Sequence, residues 1–443
     1  MEYTEEYIVG LDLGTTKVCA IVGVLDKYGK VNIKGMGVVP SRGSIVRGSV
    51  ENVRQVTDCI KEAVKKAGDQ ANIDIYTVNV GIAGYHIRSF KERCSRVFEN
   101  SIITEENIEL LLEDAKRLKV PTDSRIIHAF PEEYIINGVN ITRNPVGNNG
   151  GKVEGKYHIV TAHANDLENI KKSISDANLQ IDQIIYQPLA SAEAILVEEE
   201  KKAGVAVIDI GGGSTDLAVF KNGQLVYACV IPVGGTIINK DIETACSIVD
   251  HNDIERLKIK YGVAFQDFVK ENLTISVRKG LPYHDPVEIS QKNLTMIIQT
   301  RLEEIFSQVD AILAKEGFTE NKLIAGIVLT GGTSNLPHIT DLCELMTGLK
   351  VRTGNPGDYI SDSVTEEARK ASYATAIGLV KMGGQAAMRR SMMVNNLQET
   401  QNTSKKTIES KQSDLLDKLK EKVKGLFSMD NLFGGTTDKD YND

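Results

Sequence analysis

The order of apolar and polar positions repeats itself once along this chain. Residues 7–39 and 205–231 each open on an apolar run, YIVGLDLG in the first and VAVIDIGG in the second. Each run closes on Asp-x-Gly, as Asp12-Leu13-Gly14 and Asp209-Ile210-Gly211. A small-residue turn, a β-rich stretch, a polar turn and another β-rich stretch follow in both. The polar turns, Lys27-Tyr28-Gly29 and Asn222-Gly223, carry the residues that tolerate the backbone of a tight hairpin. The pattern predicts two related three-stranded units roughly 200 residues apart, one opening each half of an α/β fold. A third apolar run, AGIVLT at 325–330, leads into Gly331-Gly332 and TSNLP. It predicts a buried strand, a glycine turn and a helix entered near Leu336.

Beyond Gly384 the pattern changes. Residues 386–412 are read as a flexible linker, because 389–412 is rich in Asn, Gln, Ser, Thr and Lys and holds no aromatic residue. Residues 413–428, SDLLDKLKEKVKGLFS, regain a helical period, with Ser413 as a plausible N-cap and Asp414 in the first turn. At about 100° per residue, Leu415, Leu416, Leu419, Val423, Leu426 and Phe427 share an arc of roughly 120°. Lys420 and Lys424 border one side of it, Lys418 and Lys422 the other. Such a helix suits a lipid surface, since lysine reaches lipid phosphates while its stem covers apolar area. The same face would also serve for docking on a partner or on the chain's own body. Residues 429–443 form a tail.

The two Asp-x-Gly turns carry the candidate chemistry. A glycine turn between strands lets backbone N–H groups approach an anion with no Cβ in the way. Gly14 offers this in the first turn, and Gly211, Gly212 and Gly213 in the second. Thr15, Thr16, Ser214 and Thr215 add hydroxyl donors, and Lys17 adds a point charge suited to phosphate. Facing each other across a cleft, Asp12 and Asp209 would hold a hydrated Mg²⁺, which keeps several waters and takes few protein oxygens. Gly331, Gly332 and Thr333 are small enough for a flat base to lie against the backbone. Glu255 and Lys258 share one face of a helical stretch. Glu255 would accept from ribose hydroxyls, or the two residues form a solvated pair. A Walker A sequence and a GxGxxG are both absent, so the P-loop and Rossmann routes lose support. The expected ligand is ATP with Mg²⁺.

Composition narrows the class. A chain of 443 residues is too long for one core and predicts two lobes or several subdomains. Its net charge of −8 implies no broad basic surface, so nucleic acid is not an expected partner. The acidic start has no basic, then apolar, leader pattern, and no run reaches the roughly 18 apolar residues that span a bilayer. The six cysteines lie far apart without a CxxC and read as reduced thiols of a cytosolic protein. The histidines form no HExxH, so zinc has little support.

In order, these motifs resemble those of the superfamily of actin, heat-shock chaperones and sugar kinases. Asp12 to Lys17 resembles its first phosphate loop, Asp209 to Asp216 the second, and Leu329 to Leu336 the adenosine loop. QPLASAEA from Gln187 and ATAIGL from Ala374 resemble its two connecting helices, whose small residues suit close packing at a hinge. Within the superfamily, residues 5–385 resemble the bacterial cell-division family FtsA. GIAGYHIRS from Gly81 is similar to its GISGxHIxS. ITEENI from Ile103, AFPE from Ala129 and NPVG from Asn144 follow in family order. VGGT from Val233 and the Glu255…Lys258 pair precede TRLEEIF from Thr300. One departure is Asn148, where the family usually has Met.

The resemblance implies an actin-like two-lobed fold. The first-lobe base would comprise 1–84 and 163–199, with the FtsA-type insertion at 85–162. The second-lobe base would comprise 200–232 and 300–385, with its upper subdomain at 233–299. It adds Gly234 and Gly235 to the nucleotide site and places Gln187 beside the γ-phosphate. A neutral amide there orients water but is a poor base, so slow hydrolysis is expected, with the nucleotide acting mainly as a conformational clamp. It further implies filaments of this chain on the cytoplasmic membrane, a membrane-targeting role for 413–428, an anchor for FtsZ and recruitment of later division proteins at the division site. The FtsZ C-terminal peptide would dock within 233–299, where Arg278 and Lys279 are candidates for an acidic peptide or simply a solvated pair. Two other readings share the fold. A small-molecule kinase would need a carboxylate base near the γ-phosphate, and a type IV pilus assembly scaffold would lack the helix at 413–428.

Overall fold

Continuous apolar runs mark strands buried on both faces, and these form the centre of the molecule. In this computed structural model the described residues are 6–99, 102–280, 285–361 and 366–392. Strand β1 (Ile8–Leu13) is buried along its whole length and pairs antiparallel with β2 (Lys17–Leu25), which pairs with β3 (Val31–Pro40). A short hairpin, β4 (Ile45–Val46) with β5 (Ser49–Val50), leads to α1 (Val53–Ala71). The Asn52 side chain caps α1 by accepting from the Gln55 N–H. Strand β6 (Thr77–Ile82) then returns parallel to β1.

A separate sheet is inserted here. Strands β7 (Arg88–Val97), β8 (Ser124–Ile136), β9 (Asn140–Thr142) and β10 (Lys152–His163) pair antiparallel in the order β7-β10-β8-β9, with α2 (Glu105–Lys116) between β7 and β8 in sequence. Thr104 and Asn107 form a capping box at the start of α2. Leu111 of α2 packs with Tyr134, Tyr157 and Ile159 into a core of the insertion's own. Helix α3 (Ala164–Ser175) and strand β11 (Gln180–Tyr186) complete the first half, whose sheet reads β11-β6-β1-β2-β3.

Helices α4 (Gln187–Ile195) and α5 (Glu198–Ala203) lead to the second half. Strands β12 (Val205–Ile210), β13 (Thr215–Lys221) and β14 (Gln224–Ile231) repeat the antiparallel plan of β1 to β3, and Asn222 and Gly223 turn at φ 54° and 81°. Above them lie α6 (Gly235–Cys246), α7 (His251–Tyr261), β15 (Thr274–Val277), β16 (Val287–Ser290) and α8 (Gln291–Lys315). Strand β17 (Ile327–Thr330), helix α9 (Ile339–Thr347) and strand β18 (Val351–Thr353) close the sheet as β14-β13-β12-β17-β18. Parallel β17 stands beside β12 as β6 stands beside β1. The expected duplication is present and extends from three strands to five.

Three expectations shift. The helix after Gly331-Gly332 begins at Ile339, because a 3₁₀ turn at Gly332–Asn335 and then Pro337 intervene. Helix α8 is continuous across the subdomain boundary placed at 299/300. The chain divides into two compact units, residues 1–384 and 385–443. In the second unit, 385–392 are helical, whereas linker was expected from 386. That stretch, QAAMRRSM, is built from strong helix formers and has neither Gly nor Pro. The helix read at 413–428, with its six apolar residues and four lysines, lies outside the described residues.

Candidate functional site

The two glycine turns share one geometry. In the first, the Gly14 N–H donates to the Lys17 carbonyl at 3.0 Å, and in the second the Gly211 N–H donates to the Ser214 carbonyl at 3.0 Å. Among the described residues, no protein acceptor takes the N–H of Thr15, Thr16, Gly212 or Gly213. The turns also face each other. A Cβ on Gly212 would fall 2.4 Å from the Thr16 Cγ2, and one on Gly213 2.5 Å from the Thr15 Oγ1. Glycine there lets two turns from two sheets touch, with donors left over between them.

Asp12 of β1 and Asp209 of β12 stand beside these turns, and a single helix grips both. The Gln187 side-chain amide donates to the Asp12 Oδ1 at 2.9 Å, and one turn further along α4 the Ser191 hydroxyl donates to the Asp209 Oδ2 at 2.8 Å. Ser191 also bonds the Thr375 hydroxyl at 2.9 Å. The small residues of α4 allow close approach of the helical residues that follow Ala374: a Cβ on Gly378 would lie 1.7 Å from the Ala190 carbonyl oxygen.

A third carboxylate joins them. Asp216 of β13 is the register partner of Asp209 and is buried, and its Oδ1 has no hydrogen-bond partner among the described residues. Burial holds the Asp12 carboxyl up at about 6, with Lys17 drawing it down and Asp209 pushing it up. Burial likewise raises Asp209, against the hydroxyls of Ser191 and Thr375 and the charge of Lys17. Asp216 is pushed well above the carboxylate range by burial and then by Asp209 and Asp12. Burial lowers Lys17, opposed by Cys19 and then Asp12, and its ammonium lies 3.5 Å from the centre of the Tyr373 ring. Three carboxylates, Asp12 and Asp216 buried and Asp209 partly buried, served by one lysine form a site short of positive charge. A divalent cation fits that deficit. Among the described residues no three such groups converge closely enough to cage a metal, so a cation held here would keep most of its waters, as Mg²⁺ prefers.

The remaining candidates surround the second turn. The Gly235 and Thr236 N–H groups at the start of α6 donate to the Gly211 and Gly212 carbonyls at 2.9 and 2.8 Å, and a Cβ on Gly234 would meet both oxygens at 2.7 Å. Gly331, at φ 87°, comes so close to Asp209 that a Cβ would lie 2.4 Å from its Oδ1. Gly332 faces open space, while Thr333 and Leu336 are buried. Glu255 and Lys258 do share one face of α7, where they pair at 2.8 Å, with Asn239 also donating to Glu255. Lys258 reaches toward the Gly235 carbonyl at 3.5 Å. Thr215 departs from expectation. As the first residue of β13 it points into the core, and its hydroxyl donates to the Val233 carbonyl at 2.8 Å, so it is no donor to a ligand. Arg278 and Lys279 lie just after β15, with Arg278 exposed.

Sequence reading missed Asp216, Ser191, Thr375 and Tyr373. Asp216 was within reach of it. A hairpin centred between Gly212 and Gly213 must pair Asp209 with Asp216.

Comparison with known proteins agrees with this architecture. The family model for cell division protein FtsA matches residues 206–378, and the model for the SHS2 domain inserted in FTSA matches residues 84–161. Cell division protein FtsA of Neisseria meningitidis serogroup B is 39% identical over 380 residues, 86% of this chain and 91% of that protein. Among solved structures, the PilM-PilN type IV pilus biogenesis complex is similar with a TM-score of 0.62 at 17% identity, covering 86% of this chain and 99% of that one. MreB5 of Spiroplasma citri bound to ADP is similar with a TM-score of 0.52 at 14% identity, covering 87% and 98%. The two structural likenesses carry the fold, which is actin-like, and the sequence match carries the family. The chain belongs to the FtsA family of cell-division proteins.

Proposed function

We propose that this chain binds ATP with Mg²⁺ between its two five-stranded halves and uses the nucleotide as a clamp for assembly on the membrane. The observation that carries the reading is the meeting of two glycine turns with unengaged N–H groups beside the buried Asp12 and Asp216 and the partly buried Asp209. Phosphates would lie between the turns, held by the amides of Thr15, Thr16, Gly212 and Gly213 and by Lys17. Asp12 and Asp209 would hold the hydrated cation, which supplies the charge that neutralises the phosphate oxygens. The base would rest on Gly331, Gly332, Thr333 and Leu336, near Gly234 and Gly235, and Glu255 and Lys258 would take the ribose. Gln187, at the Asp12 side, would orient water as an amide rather than remove its proton, which gives slow turnover.

The two halves, each with its upper subdomain, act as lobes in this reading, and closing them favours self-association into filaments. The amphipathic pattern at 413–428 supplies the membrane contact. One short helix binds weakly, whereas aligned copies in a filament bind by avidity. A filament so held would anchor FtsZ through its C-terminal peptide on 233–299 and gather later division proteins at the cytoplasmic face. Co-sedimentation with anionic liposomes, with and without FtsZ and Mg-ATP, tests the reading. The chain should pellet with liposomes and bring FtsZ with it. Leu419→Glu with Phe427→Glu should abolish both while ATP binding persists, and continued sedimentation of that variant would refute the membrane role.

A further inference from the structure

The inserted sheet touches both five-stranded halves. On β7, the Ser89 hydroxyl donates to the Ala228 carbonyl of β14 at 2.7 Å. On β8, the His128 Nε2 accepts the backbone N–H of Tyr186 at 3.0 Å. Tyr186 is the last residue of β11 and the N-cap position of α4, and its side chain offers no capping bond. The next residue is Gln187, whose amide reaches Asp12. A helix start with no side-chain cap leaves its N-cap N–H to be met from outside, and an acceptor there helps fix where the first residue points. Gln187 also passes close to the chain opposite, since a Cβ on Gly81 would lie 2.8 Å from its Cγ. A small displacement at Tyr186 therefore moves the amide against both Gly81 and Asp12.

We propose that His128 is a positioning residue: through its Nε2 it fixes the N-cap of α4 and so sets the reach of Gln187 to Asp12, coupling the inserted sheet to the nucleotide site. Its ring stacks on Phe130 with centroids 5.3 Å apart, which fixes the ring plane. Burial holds its pKa down at about 4, so the accepting lone pair stays available at neutral pH. Accepting at Nε2 requires the proton on Nδ1. The coupling to turnover rests on the proposed role of Gln187.

Three measurements on the full-length chain test this. First, ¹⁵N-histidine spectra of the wild-type protein, with His128 assigned by its loss in His128→Gln, should show the Nδ1–H tautomer; an Nε2–H tautomer overturns the proposal. Second, in the ligand-free chain, hydrogen exchange at Tyr186 should speed up at least about tenfold in His128→Met and return toward wild type in His128→Gln, whose amide oxygen can accept. Equal exchange in the two variants overturns it. Third, single-turnover ATP hydrolysis should fall about tenfold in His128→Met and recover in His128→Gln, with ATP affinity within about twofold throughout. Gln187→Ala is the control. If it leaves turnover unchanged, or the wild type does not turn over, the role of Gln187 falls and the coupling with it. If Gln187→Ala slows turnover and His128→Met does not, the role of Gln187 stands and the proposal fails.

Discussion

The two glycine turns are the same bend made twice, and they are braced by different means. Around the first, two side chains and one backbone N–H do the holding. The Ser41 hydroxyl donates to the Thr15 carbonyl, the Ser41 N–H donates to the Thr16 carbonyl at 3.1 Å, and Gln187 meets Asp12. Its positive charge is Lys17, a flexible side chain whose ammonium lies over the Tyr373 ring. Around the second, backbone N–H groups do most of the holding, joined by the Thr236 hydroxyl, which donates to the Gly212 carbonyl at 2.8 Å. The start of α6 occupies the Gly211 and Gly212 carbonyls, and Gly331 abuts Asp209. Positive potential reaches this turn from the N-terminal end of α6, which cannot swing away. Duplication supplied one scaffold, and divergence gave it one adjustable wall and one fixed wall. In the proposed function, gripping a polyphosphate and responding to it would draw on one wall each.

If the fixed wall holds the cation, its aspartate should matter most. Asp209→Asn is expected to weaken Mg-ATP binding by about 1,000-fold, or about 4 kcal/mol, in calorimetry. The loss should shrink when EDTA replaces Mg²⁺. Unchanged affinity would remove Asp209 from the metal role and break the contrast at its strongest point.

The adjustable wall gives a pH signature. Asp12 has a folded pKa of about 6 against an ordinary 3.8. The ligand-free folded chain thus holds this proton where the unfolded chain has lost it. Its contribution to stability is complete below about pH 4 and is lost as pH rises through 6. Asp12→Asn should therefore stabilise the ligand-free chain near pH 8, by at most about 3 kcal/mol, and leave it unchanged near pH 4. Thermal melts at the two pH values decide it, and a gain independent of pH would mean that the buried charge is not its source.

Next in size is the brace itself. Gly331→Ala places a methyl on the Asp209 carboxylate at a left-handed backbone position, and should destabilise the chain by about 2 kcal/mol. Gly332→Ala, with open space around its Cβ, should stay within about 0.5 kcal/mol. Chemical unfolding of the pair measures this. Equal effects would mean that Asp209 has room to move and that the second wall is not fixed.

Most of the scaffold was legible because it is local. Apolar runs, hairpin turns and the repeated Asp-x-Gly give the strands, and Asp12, Asp209 and Gln187 fall together as their motifs imply. What escaped was set by contacts distant in sequence or by strand parity. Thr215 looks like a hydroxyl donor in GGGST, but as the first strand residue it turns inward to Val233. Ser191 is one small residue among several in QPLASAEA, and only the crossing of α4 over β12 gives it Asp209. His128 meets Tyr186 from a different sheet, with no local signal at all. The helical residues beyond Gly384 were visible in propensity but hidden by the polar stretch that follows.

The smallest expected effect asks whether α4 treats the two walls alike. Gln187 and Ser191 stand one turn apart, one on each aspartate. Ser191 is buried and also bonds Thr375, so its hydroxyl is part of the fixed wall. Ser191→Ala leaves the Asp209 carboxylate short of a donor, which costs about 1 kcal/mol. Read as binding, that is about fivefold weaker Mg-ATP affinity by calorimetry, with bound ATP turning over as before. Gln187→Ala should do the reverse, slowing turnover while affinity holds. If both substitutions alter affinity alone, the helix is a plain clamp and the two walls differ only in how they are built. If they divide as stated, one helical turn separates holding the cation from acting on the nucleotide, and a shift of α4 along its axis changes both together.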